Sequence, residues 1–318
     1  MTKHFNWGIL GLGTVANEWA TAFTNTNEHT LYAAASRNLD KATTFCQKYK
    51  IPNAYNYEQL LADKNVDIIY IATPHNLHYN QIKQALNAGK HVFCEKAITT
   101  NLVELEDLIQ LAQQKNLILL EGTTLFYMPI AHKVKNLIQS GNYGPLKMMQ
   151  VNFGSYKPYD ENNRFFNPNL AGGALLDIGV YAIAACVFFL NAKPKLKATT
   201  VVKAATGVDE SSIIMLENDK QELASINLTF RAKMPKRCLI ALEEGYFEIL
   251  NYPRAEEATF TTHEGQQTII REGETKLAFS YEQAIMEQLI ATKQSNNEYL
   301  ELTHQVMQIM DACQKEWD

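Results

Sequence analysis

The chain begins with a short apolar run, Phe5 to Leu10. It turns through Gly11-Leu12-Gly13-Thr14-Val15-Ala16 into a helical pattern that runs to about Thr24. A G-x-G-x-x-G/A spacing between a strand and a helix constrains the fold more than any other feature here. Gly11 permits the tight turn, and Gly13 has no side chain to keep a pyrophosphate off the backbone. Ala16 lets the helix pack close to the strand. The helix N-terminus, reached through Leu12, Thr14 and Val15, faces the phosphates. A bare strand–helix turn would show the same spacing, so the second strand has to support the reading.

That strand, Thr30 to Ala35, ends in Ser36-Arg37. A unit that prefers NAD usually carries Asp or Glu there for the ribose 2′-hydroxyl. Ser36 can hydrogen-bond a 2′-phosphate, and Arg37 can pair with it through its planar fork. Lys41, one turn into the following helix, adds charge. Arg37 can equally be a solvated loop residue, so NADP is favoured and NAD stays possible.

Strand and helix patterns continue to alternate. Helices are expected over Asp40 to Tyr49, Tyr57 to Leu61, Tyr79 to Ala88 and Leu102 to Gln114. Strands are expected over Asp67 to Ala72, His91 to Cys94 and Leu117 to Glu121. The run Asp67-Ile-Ile-Tyr-Ile-Ala72 is apolar throughout, as in a parallel strand buried on both faces. Thr73-Pro74-His75-Asn76-Leu77-His78 follows at its carboxyl end, where open α/β sheets bind ligands. Thr73, Pro74, Asn76 and His78 are therefore candidates for cofactor contact. Glu95-Lys96 ends the next strand in the same way. His75 and His78 are three apart with no third ligand at a sensible spacing, so no metal site is expected. This first domain is placed at residues 1–121.

The rhythm changes beyond Gly122. A crossing segment, Thr123 to Pro129, leads to a helix over Ile130 to Gln139 and a strand over Pro145 to Phe153. The loop Gly154 to Ala171 is long for a compact domain and rich in Tyr, Phe, Asn and Pro; such loops tend to be lids or binding loops. Gly172-Gly173 then opens an apolar helix to about Leu190. Seven strand-like runs follow between Lys197 and Arg271, without long helices between them, and imply a mostly antiparallel sheet. Two helices, Tyr281 to Thr292 and Tyr299 to about Lys315, end the chain. The expected fold is an N-terminal Rossmann doubly wound parallel sheet, followed over 122–318 by an α+β domain with a large open sheet. That sheet's strands carry apolar or small residues on both faces, so a homodimer or higher assembly through its outer face is expected.

Asp177 and Tyr181 stand four apart on one expected helix and so share a face. Tyrosine is a poor acid or base near neutral pH, and a nearby lysine ammonium favours its phenolate. Lys96, pointing from the end of its strand, is the candidate partner. Tyr181 would then give a proton to a carbonyl oxygen or take one from a hydroxyl, while Asp177 holds the lysine or a substrate hydroxyl. Each residue alone reads as readily as structure: a solvated strand-end lysine, a core tyrosine.

Taken together, the motifs make the chain resemble the glucose–fructose oxidoreductase / inositol dehydrogenase / rhizopine catabolism (Gfo/Idh/MocA) oxidoreductases over nearly its full length. The resemblance is carried by Gly11 to Ala16, Ala72-Thr-Pro74-His-Asn76-Leu-His78, Ala88-Gly-Lys-His-Val-Phe-Cys-Glu95-Lys96, and Gly172-Gly-Ala-Leu-Leu-Asp177-Ile-Gly-Val-Tyr181. Tyr181, with Gly207-Val-Asp209-Glu210, is most similar to the dimeric dihydrodiol dehydrogenase and glucose–fructose oxidoreductase branch. The resemblance implies an NAD(P)-binding Rossmann domain, a second domain whose open sheet often makes a dimer, and a sugar, polyol, diol or related carbonyl substrate. It also implies the roles given to Lys96 and Tyr181. Two departures stand out. Ala97 occupies the place of the usual Pro after Glu-Lys. The segment Leu125 to Pro129, which would flank nicotinamide and substrate through Phe126, lacks the branch's Trp and Arg. Loop residues Tyr156, Arg164 and Phe165 would shape the substrate pocket.

A net charge of −5 without long runs of either sign argues against nucleic acid. No signal-peptide core or membrane-spanning run is expected. The five scattered cysteines, Cys46, Cys94, Cys186, Cys238 and Cys313, read as free thiols of a cytoplasmic protein. The competing function is a non-catalytic NAD(P)-binding regulator of the same fold; the presence of both Lys96 and Tyr181 speaks against it.

Overall fold

The computed structural model describes residues 4–23 and 29–318. The expected helix end at Thr24 lies outside the described residues. The chain divides into two compact units. One takes the chain up to Gly122 together with Phe279–Glu301, and the other takes Thr123–Ala278 and Leu302–Asp318.

The first unit alternates strictly: β1 Phe5–Leu10, α1 Thr14–Ala22, β2 His29–Ala35, α2 Leu39–Tyr49, β3 Asn53–Tyr55, α3 Tyr57–Ala62, β4 Ile68–Ile71, α4 His75–Asn87, β5 His91–Cys94, α5 Leu102–Gln114 and β6 Leu119–Glu121. The six strands pair in parallel in the order β3-β2-β1-β4-β5-β6. The strand order reverses between β1 and β4, the switch point at which doubly wound sheets bind ligands. All four residues of β4 are buried, as its continuous apolar run requires. The short β3 falls where the sequence pattern predicts no strand: Asn53-Ala-Tyr55 carries no apolar pattern and is held by register with Ala33 to Ala35. α4 starts at His75, one turn earlier than its apolar periodicity suggests, with Pro74 preset at φ −62° as its N-cap.

The aromatic residues Trp7, Trp19, Phe23, Tyr70 and Phe93 pack together, with Trp19 stacked on Tyr70 at 4.5 Å between ring centroids. A single cut after residue 121 leaves out a return of the chain to this unit. In α8, Ala278–Ala291, Glu287 accepts the Trp7 indole N–H at 2.8 Å and pairs with His29 Nδ1 at 3.2 Å. These bonds tie the helix to β1 and β2. The closing helix α9 covers Glu298–Trp317.

The second unit starts with a 3-10 turn, Thr124–Tyr127, and α6, Pro129–Gln139. Its strands are β7 Leu146–Gly154, β8 Lys195–Lys203, β9 Asp209–Glu217, β10 Leu223–Thr229, β11 Met234–Leu242, β12 Gly245–Leu250, β13 Glu257–Thr262 and β14 Gln267–Arg271. They form one sheet in the order β14-β13-β12-β11-β7-β10-β9-β8, antiparallel except for the β7–β10 pair. On one face Met149, Val151, Ile226, Leu228, Cys238 and Ile240 are buried, beneath α7, Val180–Phe189. The opposite face keeps Met148, Ile213, Met215, Leu223 and Ile269 more than two-fifths exposed.

Candidate active site

In the first unit the site is built from backbone. Gly11 sits at φ +95°, and a Cβ there would come within 2.5 Å of Thr73 Cγ2. The turn itself therefore requires this glycine. Gly13 is different. Its φ is −88°, and an added Cβ would meet nothing nearer than the Ala72 carbonyl, at 3.9 Å. Among the described residues nothing else crowds Gly13, so its missing side chain leaves open space at the turn, room that a pyrophosphate would fit. The N-terminus of α1 has no side-chain cap and no acidic residue in its first turn, which suits the same anion. Leu12 and Ala16 are buried, while Thr14 is exposed and Val15 partly so. These residues fit a dinucleotide.

The end of β2 is the next element. Ser36 is buried, and its hydroxyl accepts the Asn38 N–H at 3.2 Å. Asn38 in turn caps α2 by accepting the Lys41 N–H at 3.1 Å. The side chains of Arg37 and Lys41 reach solvent. Burial pushes the Tyr57 phenol up from its usual range, and the charge of Arg37 opposes this.

At the carboxyl ends of β4, β5 and β6 several polar side chains are buried. His78 is fully enclosed, with Nδ1 2.9 Å from the Ala97 carbonyl and Nε2 2.8 Å from the Thr73 carbonyl. It thus ties the β4 loop to the segment after Lys96. Burial lowers its pKa, helped by the charge of Lys96 and opposed by its hydrogen bonds to the backbone. Pro74 and Asn76 are exposed at the start of α4, and Thr73 is partly exposed, its hydroxyl donating to Gln81 at 2.5 Å. The Glu95 carboxylate accepts the buried Tyr70 hydroxyl at 2.5 Å. Lys96 is partly exposed, and the Lys96–Ala97 peptide is cis, with alanine where the family usually has proline. Glu121, not singled out from sequence, is buried at the end of β6 and accepts the Ile98 N–H at 2.9 Å. Lys90, inside the family motif, donates to the Asp63 and Val66 carbonyls and so serves the fold.

The second unit contributes a cleft of about 660 Å³. Tyr181, Phe153, Lys236, Asn251 and Arg254 line it. Nine of the ten residues of α7 are buried, and Tyr181 is the exception. The helix is entered through a π-helical turn, Leu175–Gly179, in which Asp177 lies. Asp177 and Tyr181 therefore do not share one uninterrupted α-helix face, a correction to the simple four-residue spacing. Such π turns often occur at functional sites. Gly173 is at φ +123°, and a Cβ there would run into Asp209 Oδ1. The glycine lets the Asp209 carboxylate accept the Leu175 N–H at 2.7 Å, which anchors the entry to the helix. Enclosure of that carboxylate raises its pKa from 3.8 to about 6, against the lowering effect of its backbone hydrogen bonds.

Other expected residues are placed variously. Arg164 Nη2 lies 3.6 Å from Asp177 Oδ1, and its guanidinium covers one side of the Phe165 ring. Lys157 also lies over that ring, at 4.2 Å. Tyr156 is 58% exposed. Phe126 corrects its expectation as a substrate contact: it is fully buried against the Phe188 ring, 6.0 Å between centroids. Lys236 was missed, although the sequence holds a sign of it. In β11, Cys238, Ile240 and Leu242 are buried, and the period of two puts Lys236 on that same inward face. Among the described residues, no cluster of His, Cys, Asp and Glu could hold a metal ion.

Residues 5–123 match the family model described as an oxidoreductase family with an NAD-binding Rossmann fold, and residues 131–248 match the GFO/IDH/MocA C-terminal domain. A trans-1,2-dihydrobenzene-1,2-diol dehydrogenase from Xenopus laevis is 31% identical over 250 residues, 77% of this chain and 75% of that one. Its namesake from Danio rerio is 32% identical over 247 residues, 76% of this chain and 73% of the relative. Among solved structures, the 3-ketoreductase from Actinomadura kijaniata with NADP and TDP-benzene superposes with a TM-score of 0.88. It covers 98% of both chains at 22% identity and so supports the fold. With both of its units matched in this way, the chain belongs to the GFO/IDH/MocA oxidoreductase family, and its first unit is that family's NAD-binding Rossmann domain.

Proposed function

We propose that the protein is an NAD(P)-dependent oxidoreductase that interconverts CH–OH and C=O in a sugar, polyol, diol or related carbonyl compound. The observation that carries this reading is Tyr181, the one residue of a buried apolar helix that opens onto a cleft, in a chain whose other unit is a nucleotide-binding domain. Nicotinamide, when bound, supplies hydride transfer. Tyr181 exchanges the proton at the substrate oxygen, and Lys96 assists by favouring the phenolate. Arg164 and Asp177 pair at the entry to the helix and orient substrate hydroxyls. The relatives named as diol dehydrogenases, and the ketoreductase, are in keeping with chemistry at C–OH and C=O.

NADP is the preferred cofactor in this reading. Ser36 and Arg37 end β2 without a carboxylate, leaving a 2′-phosphate a hydroxyl and a guanidinium to meet. A homodimer through the apolar outer face of the second unit's sheet is the proposed assembly, and light scattering would then give twice the 36.0 kDa chain mass. Five buried free cysteines suit a cytoplasmic setting.

The test is a panel of aldoses, polyols, diketones and trans-dihydrodiols, each assayed by nicotinamide absorbance with both cofactors. Turnover of at least one class, faster with NADP, is expected. If no compound reacts although the cofactor binds, the non-catalytic regulator becomes the better account.

A further inference from the structure

The π turn that opens α7 is held by a residue from outside it. Leu175–Gly179 follows Ala174, which supplies no side-chain cap. The first N–H groups of a helix find no acceptor within it and need one from elsewhere. Here it comes from β9. Asp209 Oδ2 accepts the Leu175 N–H at 2.7 Å across 34 positions of sequence, and the carboxylate also takes hydrogen bonds from the backbone of Ala174 and of Asp209 itself. Gly173 leaves room for it, since a Cβ there would collide with Oδ1. Asp209 is in turn fixed by its place in the sheet, paired with Lys203 of β8. The far end of the turn is fixed by packing: a Cβ at Gly179 would come within 2.9 Å of Leu228 Cδ1 on β10. Asp177 lies inside the turn, and Tyr181 stands in the α-helix that follows. That helix is set by burial of nine of its ten residues. If the entry relaxed to regular α-helix, Tyr181 would stay and the residues before it would shift. One residue of α-helical register is a rotation of about 100°. Asp177 would therefore swing away from its present angle to Tyr181, and from Arg164.

We propose that Asp209 is a positioning residue for the reaction: by holding the entry to the π turn, it sets Asp177 at the angle to Tyr181 at which both groups meet one substrate. This rests on the roles proposed above for Tyr181 and Asp177. Asp209 acts through the turn and not on the substrate. What matters is an acceptor oxygen at the Leu175 N–H, held at the right reach from β9.

The experiment combines steady-state kinetics, on whichever compound of the panel above the wild type turns over, with NADP calorimetry. Asp209→Ala removes the acceptor. Its kcat should fall about tenfold or more, since a misplacement of about 1 Å at a reacting group can cost about a hundredfold. Its NADP affinity should stay within about twofold of wild type, because the nucleotide turn belongs to the other unit. Asp209→Asn keeps an acceptor oxygen at the same reach, and its kcat should return to within about threefold of wild type. Should Asp209→Ala fail to fold, Asp209→Glu serves instead: it keeps the charge, displaces the acceptor and should show the same loss of kcat. A crystal structure of the folded variant should show Asp177 turned relative to Tyr181, with α7 in place. A folded Asp209→Ala with kcat near wild type overturns the proposal. So does a loss of NADP affinity in step with kcat, an Asp209→Asn as slow as Asp209→Ala, or a π turn that stays unchanged with Asp177 in place. Tyr181→Phe is assayed beside them. An inactive Tyr181→Phe with a fully active Asp209→Ala rejects the role of Asp209 alone. Full activity of Tyr181→Phe, or no turnover of any compound by the wild type, rejects the function and the proposal together.

Discussion

The two units build their sites from different materials. In the first, the phosphate-facing turn is backbone, contiguous in sequence from Gly11 to Ala16 and shaped by where a Cβ fits. In the second, the cleft is made of side chains far apart in sequence, Phe153, Tyr181, Lys236 and Arg254, brought together by sheet pairing and a π turn. A site made of main chain reads as a motif, because spacing and glycine dictate it. A site made of side chains becomes visible only once strand register is known.

That contrast breaks or holds on substitution. Gly11→Val forces a β-branched residue to φ +95° against Thr73 and should cost about 3 kcal/mol or more of stability. Gly13→Ala meets only the Ala72 carbonyl, so its unfolding midpoint should stay close to wild type. Its cofactor affinity should nevertheless fall about tenfold or more, because the methyl occupies space meant for phosphate. Denaturant titration beside cofactor calorimetry separates the two. Equal effects of the two changes on folding and on binding would remove the distinction between a structural glycine and a ligand-facing one.

The anchor of the second site is ionisable and should respond to pH. The folded state raises the Asp209 pKa from 3.8 to about 6, so it favours the protonated carboxyl. The stability this contributes is complete below about pH 4 and is lost as pH rises through 6. Relative to Asp209→Asn, wild type should therefore lose up to about 3 kcal/mol between pH 4 and 7, then stay level. Urea unfolding across that range checks this, and parallel curves for the two proteins would contradict it. No such window is expected from the main-chain turn of the first unit.

A smaller effect sharpens the reading of β2. Arg37→Ala should reduce discrimination for NADP over NAD by about 1.5–3 kcal/mol, leaving NAD affinity nearly unchanged. Calorimetry with both cofactors measures it. Unchanged selectivity would return Arg37 to a solvated loop residue without a ligand.

Much of the first unit was legible because strict strand–helix alternation and buried apolar strands leave little choice. The short β3 was not, since Asn53 to Tyr55 is defined by its pairing alone. The return of α8 to the first unit depends on Glu287 bonding Trp7 and His29, partners separated by more than 250 residues. Tyr181 and Asp177 were found through their motif, but their common helix face gave way to a π turn that periodicity does not encode. Phe126 was placed at the substrate by resemblance, and its ring went instead to the core against Phe188. Lys236 could have been seen by asking why a lysine precedes Cys238 and Ile240 at a spacing of two on a buried strand face.

The central claim is that Tyr181 and Lys96 act as one proton-transfer unit, and the most direct measurement is kcat/KM for wild type, Tyr181→Phe, Lys96→Met and the double variant on any substrate turned over. Each single change should cost about a hundredfold or more. The double should cost little more than the worse single, because members of a catalytic unit are strongly non-additive. Cofactor affinity should be nearly unchanged in Tyr181→Phe. Near-full activity of Tyr181→Phe, or losses that multiply in the double variant, would contradict the account.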